Sequence, residues 1–475
     1  MGRVSIVWFR NDLRLHDNEA LFQAVQQSEN VVPVYVFDPR VFHGYTSYGF
    51  EKTGKFRKRF IIEAVLDLRE QLRQLGSDLI IREGNPENEV FNIAREVNSG
   101  WVFCNRERTA EEVIVQNRLE KNLWTIGQEL RYVRGKMLFH TSDLPFPVTH
   151  VPDVFTSFRK AVENVVPVRK PLEVPAIKPL PEGIDLDFGE IPVPLNDDHF
   201  LVNSAVIHRF IGGESSGLKQ LQYYLWDTDL VKEYKQTRNG LVGWEFSSKF
   251  SPWLAAGCLS PKKIMEELNR YEESIVKNES TYWLFFELMW RDFFRLMGKK
   301  YGNSIFKAEG PANKFKKGST DREAFNQWKN GQTGIPFIDA AMRELNQTGF
   351  MSNRARQNVA SFLVKDLGID WLMGAEYFES LLIDYDPCSN YGNWNYIAGV
   401  GNDPRENRYF NILSQARNYD AEGLFVRTWV DELRQVPDKY IHQPHLMDLT
   451  TQAQAGVIIG RDYPHPVIDT VKWAG

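Results

Sequence analysis

Two regimes of hydrophobic patterning divide the chain. Over about the first 140 residues, short apolar runs at 5–9, 31–37, 79–81 and 101–104 alternate with helix-period segments at 19–27, 56–75 and 88–97. Continuous short runs rich in Val and Ile suit strands buried on both faces, and strands alternating with helices predict a parallel α/β sheet. No GxGxxG follows the first run, so the usual dinucleotide fingerprint is missing from this Rossmann-like domain. Over 165–200 the pattern lapses: Pro167, Pro171, Pro175, Pro179, Pro181, Pro192 and Pro194 recur with few helix formers between them, predicting an extended linker. From about His199 onward the period is helical throughout, densest at 282–297 and 353–367, with Gly and Pro punctuation between segments. The expected organisation is an α/β domain over 1–140, a linker over 141–200 and an all-α domain over 201–475.

Composition narrows the class. Of 475 residues 43% are hydrophobic and 25% charged, the balance of a globular enzyme, and 13 Trp with 31 Phe point to large aromatic cores or stacking sites. Cys104, Cys258 and Cys388 stand far apart with no CxxC and no zinc spacing, so neither a disulfide framework nor a metal site is expected. No long apolar run predicts a membrane span, and no charged-then-apolar leader precedes the first strand, so a cytoplasmic protein is expected. A net charge of −5 excludes a uniformly basic nucleic-acid coat but not a local basic face.

The densest chemistry lies in DYDPCSNYGNWNY, 384–396. Carboxylates, amides and aromatics crowd one short run, and each buried polar group needs a partner. Such a run suits either a pocket for a large polar aromatic ligand or a polar turn between core helices. Ser247, Ser248, Lys249, Phe250 and Ser251 precede Pro252 and a helical run, which makes either a phosphate cradle or a plain N-cap. Glu287 and Arg291, four apart in a very apolar helix, share a face and predict an internal ion pair beside Trp290. Asn353 and Gln357 share another face, while Arg354 and Arg356 point elsewhere, toward carboxylates or phosphates. Trp371 and Trp394 are either core indoles or electron donors to an excited ligand. In the α/β half, the strand ends offer Asp38, Arg40 and His43, and the stretch 105–112, as ligand-lining groups or as ordinary loop polars.

Taken in order along the chain, several longer motifs resemble the cryptochrome/photolyase family and, within it, the DASH branch: VWFRNDLRLHDN at 7–18, FDPR at 37–40, KTGKFR at 52–57, VPDVFTSFRK at 151–160, TRNG at 237–240, SKFSPWL at 248–254 and WRDFF at 290–294. The resemblance covers nearly the whole chain. It implies an FAD held by the helical domain, with Tyr234 and Ser247 to Ser251 on its phosphates, Glu287, Arg291 and Asn353 lining the pocket, Asp384 and Asp386 on the ribityl and ring edge, Arg356 paired to Asp384, and Asn390 facing the flavin. It implies light-driven electron transfer to a cyclobutane pyrimidine dimer flipped out of DNA, with Glu287, Asn353 and Asn390 at the reaction, Trp290, Gln357, Tyr396, Arg354 and Arg405 on the lesion, and Trp394 and Trp371 feeding electrons. Asn353 and Gln357 stand where (6-4) enzymes of the family carry histidines, which argues against that lesion. Tyr396 in place of a second lesion-clamping Trp offers less stacking to offset flipping, which implies a preference for single-stranded or looped DNA. Gly318 stands where a third tryptophan is expected. The resemblance also implies a methenyltetrahydrofolate antenna near Asp38, Arg40 and Glu107, phosphate contacts from Lys249, Arg354, Arg405 and Arg408 with Lys299, Lys300, Lys316 and Lys317 at the edge, and a monomer. The alternative it leaves open is a blue-light photoreceptor with little physiological repair.

Overall fold

The structure is a computed structural model and describes residues 3–183, 185–192, 209–314, 318–401 and 408–473. Lys316, Lys317 and Arg405 lie outside the described residues. The chain falls into two compact units. The first comprises Met1–Lys235, Ser248–Asn303 and Ile383–Ser389, and the second Gln236–Ser247, Ser304–Leu382 and Asn390–Gly475.

The first unit holds the expected parallel sheet. Strands β1 (Val4–Phe9), β2 (Asn30–Phe37), β3 (Ile80–Glu83), β4 (Trp101–Asn105) and β5 (Glu129–Val133) lie in the order β3-β2-β1-β4-β5. All four pairings are parallel, with Val4 opposite Asn30 and Ser5 opposite Trp101. Parallel neighbours need crossovers, and α1 (Glu19–Gln27), α2 (Lys55–Gln74), α3 (Pro86–Glu96) and α4 (Ala110–Trp124) supply them. Both β1 and most of β2 are fully buried, which is why their sequences read as unbroken apolar runs. One core cluster joins Ile6, Val34, Val102 and Leu130 of the sheet to Val90 of α3 and Leu119 of α4.

The opening motif proves to be a knot of hydrogen bonds. Arg14 is buried and donates to the carbonyls of His16, Asp17, Gly135 and Gly257. Glu214 accepts from the Leu15 and His16 N–H groups, at 2.6 and 3.0 Å, and pairs with the His16 ring. A guanidinium that satisfies four carbonyls holds a loop far from both β-sheet and helix geometry in one shape. The proline-rich stretch is threaded onto the same unit: Asp17 N–H donates to Leu172 O, Val31 N–H to Pro179 O and Ile81 N–H to Phe188 O. Leu180, Leu186 and Phe188 pack on the sheet's core.

Helices α5 (Phe155–Val162), α6 (Pro261–Ser274) and α7 (Glu279–Tyr301) complete the first unit's main elements. The capping box of Asn278 and Thr281 starts α7. Residues from Ser280 to Gly298 are buried on most sides of α7, which accounts for its lack of a clear polar stripe.

The second unit is helical, and among its described residues β-structure is limited to isolated bridges. Its core carries α8 (Pro336–Thr348), α9 (Asn353–Ser361) and α10 (Trp371–Leu381). Proline opens α8 and Gly349 closes it in the left-handed conformation, at φ 67°. Ser352 and Asp370 cap α9 and α10 through side-chain oxygens. Helix α11 (Pro387–Ala398) has its first turn in Ile383–Ser389 and continues into the second unit. No helix among the described residues is long and apolar enough to cross a membrane, and no cluster of His, Cys, Asp or Glu there could hold a metal ion.

Candidate functional site

In the first unit, the acidic run Ile383–Ser389 is held by Arg295 of α7 and by Arg57 of α2. Asp384 and Asp386 are both buried. Asp386 accepts from Arg295 Nη1 at 2.8 Å and from its own Ser389 N–H at 2.8 Å. Burial pushes the Asp386 carboxyl up. The Arg295 and Arg291 charges and the Ser389 N–H more than reverse this and hold it below the ordinary range. Between the two carboxylates, the Tyr385 ring carries the Arg57 guanidinium 4.6 Å from its centroid. Arg57 belongs to the KTGKFR motif, so that motif helps to shape the acidic run.

Arg291 corrects the expected Glu287–Arg291 pair. Its guanidinium donates to Lys136 O at 3.0 Å and Leu254 O at 3.2 Å rather than to Glu287. Shared helix face is necessary for an (i, i+4) pair, but here buried backbone carbonyls compete for the guanidinium, and burial draws its pKa down to about 10. The neighbouring Asp292 is fully buried and accepts from the Leu138 and Phe139 N–H groups at 3.1 and 2.8 Å. Trp290 stacks on Phe155 of α5 with centroids 3.7 Å apart and planes 9° apart, which fixes one face of the indole.

The predicted phosphate cradle leads into a helix of only six residues, Ser251–Ala256. Lys249 is buried with φ 57°, a left-handed conformation costly for a side chain of its size and characteristic of functional loops. Ser251 is exposed, Ser248 O accepts from Gln220, and Tyr234 is buried. Tyr224, which the sequence did not single out, stands edge-on to Tyr234 and Phe250 at 6.4 and 5.8 Å. Its buried hydroxyl has no hydrogen-bond partner among the described residues.

Asp38, Arg40 and Glu107 fall into two clusters. Asp38 caps the turn Pro39–Phe42 and pairs with Arg40, which also pairs with Glu87 at 2.8 Å. Glu107 instead meets Lys136 and Arg295. Burial pushes Glu107 up, and the charges of Lys136 and Arg295 reverse this to leave it at about 2. Lys299 is exposed nearby. Partial burial and the charges of Arg106, Arg108 and Arg134 hold its pKa down, marking a local surplus of cations. Lys300 is committed to Asp153 and to Val151 O.

In the second unit, Asn353 is exposed at the start of α9, and Gln357 accepts from Arg354 Nη1 at 3.0 Å. Arg354 also donates to Asn239 and lies 4.7 Å over Tyr419. Arg356 donates to Met351 O and sits over Phe350. Asn390 is buried and donates to Ala375 O of α10 at 3.0 Å. Tyr396 is buried.

Both indoles of the expected pair are buried. Trp394 meets Phe378 edge-on at 5.2 Å, and Trp371 donates to Ala308 O and meets Tyr391 at 6.2 Å. Gly374 of α10 makes room for Trp394, since a Cβ there would lie 2.3 Å from the indole's Cη2. Gly318 has no room for any side chain: a Cβ would lie 2.4 Å from the Asp370 backbone. Trp328, fully buried, stacks on Phe378 at 6.3 Å and so sits two rings from Trp394.

Comparison with known proteins bears on this arrangement. Residues 5–179 match the family model described as DNA photolyase, and 283–474 match the FAD binding domain of DNA photolyase. A cryptochrome DASH of Gloeobacter violaceus is 49% identical over 99% of this chain and 94% of its own. One of Xenopus laevis is 46% identical over all of this chain and 91% of its own. The crystal structure of a Synechocystis cryptochrome superposes with a TM-score of 0.94 at 47% identity, covering 99% of this chain and 97% of that one. An archaeal photolyase from Sulfolobus tokodaii, described with two FAD molecules, superposes at 0.79 with 28% identity over 99% and 97% of the two chains.

Proposed function

Because the chain belongs to the cryptochrome DASH branch of the cryptochrome/photolyase family, we propose that it is a light-driven FAD enzyme that repairs cyclobutane pyrimidine dimers, preferentially in single-stranded or looped DNA. The observation that carries this is the acidic run Ile383–Ser389: two buried carboxylates, one kept ionised by a buried arginine. Ionised acceptors inside a protein suit a ligand rich in N–H and O–H donors, as a flavin with its ribityl chain is. The unpartnered, buried Tyr224 hydroxyl beside Tyr234 and Phe250 fits the same group, since a hydroxyl there costs stability unless a ligand or water bonds it.

When bound and reduced, the flavin supplies the photoexcited electron that splits the cyclobutane ring. The chain's own residues do the rest. Tyr234 and Ser247 to Ser251 bind phosphates. Asp384 and Asp386 accept hydrogen bonds along the ligand's polar edge, and Arg356 orients Asp384. Glu287, Arg291, Asn353 and Asn390 line the reacting region. Trp290, backed by Phe155, and Tyr396 offer π surfaces to the flipped bases, with Gln357, Arg354 and Arg405 on their polar edges. Trp394 and Trp371 deliver reducing electrons. The cation surplus of Arg106, Arg108, Arg134 and Lys299 supports an anionic folate antenna near Glu107. A cytoplasmic monomer remains the expected form.

The test is illumination of the chemically reduced protein with a thymine-dimer oligonucleotide, single-stranded and duplex. Light-dependent recovery of thymine, strongest on the single strand, is expected. Equal repair of both forms refutes the strand preference. Photoreduction without repair of either transfers the assignment to a light sensor.

A further inference from the structure

Arg295 is assigned no ligand contact above, yet through its two carboxylate partners it joins both regions to which ligands are assigned. It lies one turn past Arg291, so that positions 287, 291 and 295 form one stripe of α7. Only 5% of the residue is exposed. One guanidinium nitrogen donates to Asp386 Oδ2 at 2.8 Å and the other to Glu107 Oε2 at 3.3 Å. Glu107 is braced in turn by Lys136 on its other oxygen, and its own N–H donates to Gln116 at 2.7 Å.

We propose that Arg295 is a positioning residue that holds Asp386 as an ionised, pre-aimed hydrogen-bond acceptor for the flavin, with Glu107 and Lys136 as its anchor. This rests on the flavin reading given above. A planar guanidinium presents separate nitrogens to two carboxylates in a fixed fork, whereas a lysine must serve both from one nitrogen and without that fixed geometry. A buried carboxylate without a counter-charge takes up a proton instead of remaining ionised. The groups facing Asp386 make Arg295 decisive. Arg291 and Arg295 come from α7, and Cys388 follows in its own segment. Beyond Arg295 stand Glu107, Glu112, Lys136 and Arg108. Without Arg295, Arg291 is the one cation left of the two that act on Asp386, and that guanidinium is spent on the Lys136 and Leu254 carbonyls. A protonated Asp386 offers one acceptor fewer to a ligand N–H.

The experiment compares FAD release from the wild-type chain, R295Q and R295K, followed by flavin fluorescence from about pH 8 to about pH 6, with thermal melts by circular dichroism alongside. Wild-type release is expected to be flat with pH. R295Q is expected to release FAD faster as pH falls, by up to about tenfold per pH unit if one proton controls binding. R295K keeps the charge and loses the fork, so its release is several-fold faster but flat with pH. A purely structural role would lower the melting point of R295Q without giving it a pH profile. A folded R295Q with wild-type release at every pH overturns the inference. Should R295Q not fold, R295K decides: release identical to wild type overturns the proposal, and faster, pH-independent release upholds it. A wild-type chain that takes up no FAD removes the flavin reading and this inference together, whereas wild-type uptake with unchanged variants removes this inference alone.

Discussion

Single atoms decide much at the residue scale. Gly374 is helical, and its missing Cβ is what lets the Trp394 indole lie against α10; a Cβ there would also lie 2.5 Å from Leu363 Cδ2. Gly374→Ala in an open helix would stabilise; here the clash wins, and a loss of about 1–3 kcal/mol is expected in urea unfolding. A gain in stability would show that the indole moves aside freely. If Trp394 is the first electron donor, Trp394→Phe abolishes flavin photoreduction while FAD content is kept; unchanged photoreduction kinetics under blue light would refute that role. Some of this scale was legible in the sequence. The carboxylates, amides and aromatics of 384–396 announced themselves by density. Arg295, Arg57 and Asp292 did not, because a charge inside an apolar run reveals its partner only when the fold brings in a residue from far along the chain. The one available signal for Arg295 was the four-residue spacing that had already marked Glu287 and Arg291.

Elements were legible where burial is simple. The strands of the sheet's centre read as apolar runs because both their faces are covered. In contrast, β5 (Glu-Leu-Arg-Tyr-Val) lies at one side of the sheet, and Glu129 and Arg131 interrupt its apolar positions. The helix α4 buries only Val115, Gln116, Leu119 and Leu123, a stripe too thin to stand out beside its charges. The ion pair expected on α7 failed for a related reason: helical spacing fixes which side chains share a face, not which carbonyls of other elements lie opposite. The link between α7 and residues 137–139 is the Asp292 carboxylate, and it gives this helix a pH dependence. Burial raises Asp292 to about 6, despite Arg291 and the two N–H groups, against an ordinary value of 3.8. An acid raised on folding binds its proton more tightly in the native state, so its stabilisation is complete below pH 3.8 and is lost as pH rises through about 6. The stability of wild type relative to Asp292→Asn should therefore fall by about 3 kcal/mol between about pH 4 and about pH 6. Urea titrations across that range check it, and a relative stability that rises with pH contradicts the assignment.

For the whole molecule, a net charge of −5 sets the terms on which DNA can be met. Long-range attraction is weak, so binding depends on local cations, and every phosphate contact makes affinity steeper in salt. If Arg354 is such a contact, Arg354→Gln should reduce the slope of log affinity against log salt by about 0.7 for single-stranded DNA, without favouring one sequence over another. An unchanged slope would confine Arg354 to its bonds with Gln357 and Asn239.

The stretch around Phe188 has one more consequence. In the order β3-β2-β1-β4-β5, β3 is an outer strand, and an outer strand offers unpaired N–H and C=O groups on which another chain can add itself. Phe188 O already occupies the Ile81 N–H, and Arg82 donates to Asp187 O beside it. Prolines at 179, 181 and 192 bracket this cover and lack the donors needed to extend a ladder. What a reader of the sequence sees as a connector thus also serves as a guard rail, closing the side of the sheet on which aggregation would otherwise begin.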